Sequence, residues 1–429
     1  MAEISPFQGV RYNQNKVKDL ASVICPPYDV ISAQEQKGYY ELNEYNIIRL
    51  EHGVELSEDN KKNNKYTRAR SIFDQWLKDR ILEIDTAHTF YIYEQGFTYL
   101  GAKKRRLGLI ACVKLEPWEN KVVFPHENTL QKVKSDRLEL MKACNANISP
   151  ILGLYDDPGS KLTKLMESRT LPGKLLIDIT IDNETHKVWK ASEPEFVQRF
   201  SHFIMPKAIY IADGHHRYET SLAYREERKK TTPSYSGYEA FNFIMMTLVP
   251  FSDSGLVMLP IHRLVRGISS ENMAHLQNQL CQYFEIKSSP IDKLELIENR
   301  GSGIKVLGLE AEKVLSLRLL PSVPVNEIMP QQRSTVYKKL DVSIVEHLII
   351  EKILGFQSAS DNVAYTPDTA QALKLVGNEE YQMALILSPM AVTTIKAIAD
   401  AKDRMPRKST YFYPKLPTGL ILNRLDGIL

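Results

Sequence analysis

The segment F-I-M-P-K-A-I-Y-I-A-D-G-H-H-R-Y-E-T-S-L-A, Phe203 to Ala223, decides how this chain is built. Its apolar run, Phe203 to Ile211, reads as a buried strand, and Asp213-Gly214 ends that run in a tight turn. Tyr218, Leu222 and Ala223 follow at helical spacing, so a helix begins directly behind the turn. A strand, turn and helix unit leaves the unpaired N–H groups and positive dipole end of the helix at the turn, where anions are favoured. Gly214 permits close backbone approach, and Arg217 adds a two-pronged donor suited to phosphate or carboxylate. Asp213 suits a divalent metal bridging phosphates, and His215 or His216 suits donation to a phosphoryl oxygen or proton transfer. Two other readings stay open: Asp213 caps the helix while the histidines satisfy nearby carbonyls, or the histidines ligate zinc. Against zinc, adjacent histidines on a turn rarely face one ion, and no thiol pair or H-E-x-x-H pattern accompanies them.

Outward from this unit, Pro125-His126-Glu127-Asn128-Thr129 precedes Lys132, Lys134, Asp136 and Arg137 on a loop passing into a helix around Leu138 to Ala143. Glu127 or Asp136 is placed to deprotonate a hydroxyl, with Lys134 and Arg137 offsetting phosphate charge; a solvated, charged helix start is the structural alternative. Cys25-Pro26-Pro27-Tyr28-Asp29-Val30 reads as a rigid extended turn carrying Asp29. Lys408-Ser409-Thr410, opening the string that runs to Lys415, reads as a hydroxyl-and-lysine loop that binds phosphate or caps a strand.

Ala69, Ile72, Phe73, Trp76 and Leu77 predict an amphipathic helix, followed by strands over Thr89 to Tyr93 and Leu107 to Leu115. Further strands are expected at Leu175 to Ile181, Phe241 to Val249, Ile304 to Leu309, Val314 to Leu320 and Met383 to Leu387. Helices are expected at Asn272 to Tyr283, Val342 to Leu354 and Val392 to Arg404. The fold class is therefore mixed α/β. At 429 residues the chain exceeds one core. Polar or proline-bearing stretches near Glu116 to Asn120, Lys229 to Gly237 and Pro321 to Gln332 suggest an N-terminal region 1–118, a core 119–232 and a C-terminal region 233–429, free to intertwine. The aromatic C-terminus, Tyr411 to Leu425, should dock onto the body.

Composition narrows the function. Hydrophobic residues make up 43% and charged residues 25%, as in globular chains. A net charge of +3 carries no footprint for nucleic acid, and the cluster Lys103-Lys104-Arg105-Arg106 reads as the solvated start of a strand. Four scattered cysteines make neither a disulfide framework nor a thiol zinc site. No leader-like segment opens the chain and no 18-residue apolar run occurs, so a cytoplasmic protein with no membrane partner is expected.

Six segments carry a resemblance: S-P-F-Q-G-V-R-Y at Ser5, C-P-P-Y-D-V-I-S at Cys25, P-H-E-N-T at Pro125, A-N-I-S-P-I at Ala146, A-D-G-H-H-R-Y-E-T at Ala212 and K-L-D-V-S-I at Lys339. Together they resemble a widespread bacterial and archaeal family catalogued as a domain of unknown function. Its D-G-H-H-R segment is similar to the phosphate-binding turn of the ParB/sulfiredoxin-like superfamily, which includes the free serine kinases. The resemblance implies a ParB/sulfiredoxin-like core with additional α/β regions. It also implies phosphoryl transfer to free L-serine from pyrophosphate, ADP or ATP, with phosphate and Mg²⁺ contacts on Asp213, Gly214, His215, His216 and Arg217. A carboxylate base is required elsewhere, and Glu127 is the candidate from its cluster. A ParB-like nucleotide-binding module gripping DNA or a partner, and a metal-dependent phosphohydrolase, are the alternatives. No G-x-x-x-x-G-K-[ST] donor site is present.

Overall fold

The apolar strand runs fall into two sheets, each in its own unit, in a computed structural model that describes residues 1–170, 175–294, 303–357 and 360–429. The first unit comprises residues 1–125, 129–256 and 414–429, and the second residues 126–128 and 257–413.

The first unit is built on nine strands: β1 (Ile4–Ser5), β2 (Phe90–Tyr99), β3 (Ala102–Lys114), β4 (Val123–Phe124), β5 (Ile151–Tyr155), β6 (Leu175–Ile181), β7 (Glu184–Ala191), β8 (Ile209–Asp213) and β9 (Phe243–Pro250). They pair in the order β4-β8-β5-β9-β3-β2-β7-β6, with β1 also on β3. The sheet is mixed: β4 with β8 and β5 with β9 are parallel, and the other pairings are antiparallel. Strands covered on both faces read as continuous apolar runs, as in β9, where all eight residues are buried. Helices α1 (Lys65–Lys78), α2 (Gln131–Cys144), α3 (Pro194–Ile204) and α4 (His215–Thr231) belong to this unit. Phe196, Phe200 and Ile204 of α3 recur every fourth residue and bury completely in a core shared with Phe90, Ile92, Leu109 and Trp189. Each such phenylalanine contributes about 1.5–3 kcal/mol by leaving water.

The strand expected from Phe203 is shorter. Residues 203 and 204 close α3, whose fourfold spacing claims Ile204, and β8 starts only at Ile209. The three expected regions intertwine: β9 lies between β3 and β5, so residues from all three share one sheet, and the chain crosses between the two units at residues 126–128, at Leu256/Val257 and at Tyr413/Pro414. The C-terminal segment docks as expected, with Thr418 paired to Cys25, Leu422 to Val10 and Leu425 to Asn145 through main-chain hydrogen bonds.

In the second unit β10 (Val257–Leu259) pairs with β17 (Tyr411–Tyr413). An antiparallel sheet joins β11 (His262–Val265), β12 (Phe284–Pro290), β13 (Ile304–Leu307), β14 (Lys313–Leu319), β15 (Val363–Thr366) and β16 (Met383–Leu387) in the order β12-β14-β13-β16-β11-β15. The helix expected over Val342 to Leu354 is present, but Val345–Ile353 winds with π geometry. The Leu354 N–H accordingly reaches back five residues to Ile349.

Candidate functional site

The turn between β8 and α4 has one backbone solution. Gly214 sits at the N-cap of α4 with φ 98° and ψ 26° and, having no side chain, contributes no side-chain cap of its own. A Cβ there would lie 3.0 Å from both Arg217 Nε and Ile151 Cγ1. Left-handed strain and this crowding together predict that Gly214→Ala destabilises the protein by roughly 1–3 kcal/mol. A denaturant midpoint unchanged from the parent would show the turn to be more tolerant.

Asp213 is gripped at both oxygens, Oδ1 by Lys415 Nζ and Oδ2 by Arg217 Nη2 at 2.7 Å. Burial pushes its carboxyl up, but Lys415, Arg217 and His215 outweigh that and hold it well below the usual carboxylate range. Arg217 is itself buried and donates through Nη1 to the Pro150 carbonyl at 2.5 Å. His216 Nε2 accepts from the Leu130 N–H at 2.9 Å, which assigns the neutral tautomer protonated at Nδ1. His215 is buried at the head of α4.

Lys415 reaches Asp213 because the chain around it is pinned. Arg106 Nη2 donates to the Pro414 carbonyl at 2.7 Å, and Gln95 Nε2 to the Lys415 carbonyl at 3.2 Å. Arg106 is fully buried, and loss of hydration lowers its pKa. The basic cluster at Lys103 to Arg106 is therefore not wholly the solvated start of a strand. Alternation along β3 turns Arg106 inward while Lys103 and Arg105 stay exposed.

A second charged group completes this part of the unit. Glu51, on the helical turn Ile48–Glu51, is 1% exposed. Its Oε1 accepts from Ser149 Oγ at 3.0 Å and from the Tyr28 N–H at 3.4 Å, and lies 3.9 Å from Arg137 Nη1. Arg137 stacks 4.0 Å over the Tyr28 ring and donates to the Glu51 carbonyl at 2.8 Å. Burial raises the Glu51 pKa despite the lowering pull of Arg137, Arg217 and Ser149. Glu51, Arg137, Ser149 and Arg217 line one cavity of about 40 Å³. Since a water needs about 10–15 Å³ by this measure, the space admits a hydroxyl or a few waters, and not a nucleotide.

The predicted residues divide between the units. Asp213, Gly214, His215, His216, Arg217, Lys134 and Arg137 lie in the first. Lys134 pairs with Glu219 at 3.0 Å. Asp136 is held ionised: burial is outweighed by Arg137 and Lys65, which, with Tyr66, hold its carboxyl far below the usual range and make it a poor base. Glu127, Lys408, Ser409 and Thr410 come together in the second unit. There the Glu127 carboxylate accepts the main-chain N–H of Lys408 at 3.0 Å and of Ser409 at 3.4 Å, Ser409 Oγ donates to the Pro406 carbonyl, and Thr410 Oγ1 meets His126 Nε2. The loop closes on its own acceptors. Sequence reasoning missed Glu51; its one signal is an acid set against Ile47, Ile48 and Leu50, all fully buried.

Both oxygens of Asp213, on which a Mg²⁺ contact is expected, are engaged by cations, Lys415 and Arg217, so a divalent ion there would share the carboxylate with two positive charges. Among the described residues no group of three or more histidine, cysteine or acidic side chains is arranged to hold a metal, and no helix is long and apolar enough to cross a membrane.

The fold and site define a mixed α/β protein whose strand-to-helix turn carries a buried carboxylate and guanidinium cluster. The chain belongs to the family described as "Protein of unknown function (DUF1015)", which matches residues 4–343. That span includes Glu51, Arg137 and the D-G-H-H-R turn and ends before Lys415. No curated protein matches. Among solved structures, the chain is similar to a mutant of a free serine kinase in complex with ADP, at 11% identity and TM-score 0.38, covering 74% of this chain and 92% of that one. A free serine kinase in complex with AMP matches at 12% identity and TM-score 0.37, covering 74% and 91%. C-terminally truncated SbnI from Staphylococcus aureus matches at 11% identity and TM-score 0.36, covering 72% and 85%.

Proposed function

We propose that the first unit transfers a phosphoryl group between a polyphosphate donor, pyrophosphate or ADP or ATP, and the hydroxyl of a small acceptor, free L-serine. The observation that carries this reading is the cavity where the buried Glu51 carboxylate meets Arg137 and Arg217, in the unit that also carries the turn at the head of α4. A base of raised pKa and fixed cations are what transfer to an alcohol needs, because the step depends on positioning and charge neutralisation. Glu51 takes the role that sequence gave to Glu127, whose carboxylate is committed to the Lys408 and Ser409 amides. The hydroxyl proton passes to Glu51, the oxygen bonds to the terminal phosphorus, and the bond to the leaving phosphate breaks with its electron pair. The first-turn amides of α4 and the two guanidiniums take up the charge on the moving group.

The test is incubation of the full chain with L-serine and each of ATP, ADP and pyrophosphate, with O-phosphoserine read by mass spectrometry. Phosphoserine with at least one donor is expected. Inorganic phosphate released without phosphoserine would replace this reading with a hydrolase, and nucleotide binding without turnover would replace it with a binding module.

A further inference from the structure

The second unit holds a cavity of about 410 Å³ that the phosphoryl-transfer reading does not use. That volume falls within the range of small-molecule sites, about 300–1,000 Å³. Its floor is apolar: Phe284 of β12, Ile304 of β13, Leu317 of β14 and Ile344 are all buried. Its polar lining is unbalanced. Arg318, Lys338 and Lys339 carry three positive charges against the single carboxylate of Asp341, which is steadied by the Gly303 N–H at 2.9 Å. None of the three cations forms an ion pair among the described residues, and Lys338 reaches only the Gln331 carbonyl, at 3.4 Å. The K-L-D-V-S-I segment, singled out in the sequence and given no role by the turn at Gly214, supplies Lys339, Asp341 and Ile344 to this lining.

We infer that this cavity is a binding site for a small organic anion with an apolar body, of the medium-chain carboxylate class. Apolar walls take the hydrocarbon out of water, and the excess of cations at the rim selects a negative head group. An uncharged alcohol of equal length satisfies only the first of these, and a bare inorganic anion only the second.

Isothermal titration of the full chain with octanoate, 1-octanol and inorganic phosphate tests the inference without reference to phosphoryl transfer. Saturable octanoate binding is expected, with 1-octanol and phosphate each at least tenfold weaker. The double variant Lys338→Glu/Lys339→Glu, on half-buried and exposed side chains, should weaken octanoate at least tenfold with an unchanged circular dichroism spectrum. Asn326→Trp, at the exposed rim, should weaken it by obstructing the cavity. The inference is overturned by absence of octanoate binding, by 1-octanol or phosphate binding as tightly as octanoate, or by both variants binding as the parent does.

Discussion

Glu51→Gln is expected to lower phosphoserine formation by about 10²- to 10⁴-fold, the contribution of a positioned base, while donor and serine affinities stay close to those of the parent. Glutamine keeps the size of the side chain and an acceptor for Ser149 and the Tyr28 amide, but cannot take a proton. Glu127→Gln is the paired control: it disturbs the Lys408 to Ser409 loop and should leave turnover within a few-fold. The opposite ranking would return the base to Glu127. The pH dependence has a definite sign. Burial raises the Glu51 pKa, so turnover should fall as pH drops through that raised value and the base becomes protonated. For folding, a raised carboxyl pKa stabilises the protein at low pH, and that contribution is lost as pH rises through the folded-state value. Removing it with glutamine should flatten the stability profile in that window. Asp213, held low by Lys415 and Arg217, acts in the other direction, its contribution being present at neutral pH and lost in strong acid. Denaturant unfolding of parent and Glu51→Gln at matched pH values reads both limbs.

The local rules of strand, turn and helix were legible because they act over a few residues. Gly214 occupies the left-handed position that the D-G pair announces, α4 begins at His215 directly behind it, and Leu175–Ile181 and Met383–Leu387 form strands over the expected residues. Failures arose where distant partners decide. Phe203 and Ile204 look like the start of a strand until the contacts of Phe196 and Phe200 claim them for α3. Arg106 looks like surface charge until the C-terminal Pro414 carbonyl and Gln95 meet it inside the sheet. Glu51 stands outside any acidic cluster in the sequence, and its chemistry comes from Ser149 and Arg137, 98 and 86 residues away. Segments that looked like one phosphate site on residue type alone, Glu127 with Lys408 to Thr410 and Asp213 with Arg217, belong to different units. Residue type reveals the chemistry a segment can support, whereas tertiary partners decide whether that chemistry is already committed.

Arg217→Lys separates a structural from a chemical role for the arginine at the turn. The guanidinium spans two fixed acceptors, the Pro150 carbonyl at 2.5 Å and Asp213 Oδ2 at 2.7 Å, and passes against Gly214 where only a glycine leaves room for it. A lysine ammonium is a point charge on a flexible stem and cannot hold both acceptors in that planar geometry. Losing one hydrogen bond to a charged group costs about 1.5–3 kcal/mol, so the variant should fold with a lowered denaturant midpoint. Arg217→Ala should cost more, roughly 3–5 kcal/mol, because Asp213 keeps only Lys415 and the buried ion pair is broken. Turnover distinguishes the roles. An arginine that also meets the moving phosphoryl group should lose about 10²- to 10³-fold in phosphoserine formation on replacement by lysine, measured where the variant is still folded. Near-parental turnover with only the midpoint lowered would make Arg217 a strut for the turn and leave Arg137 as the cation facing Glu51.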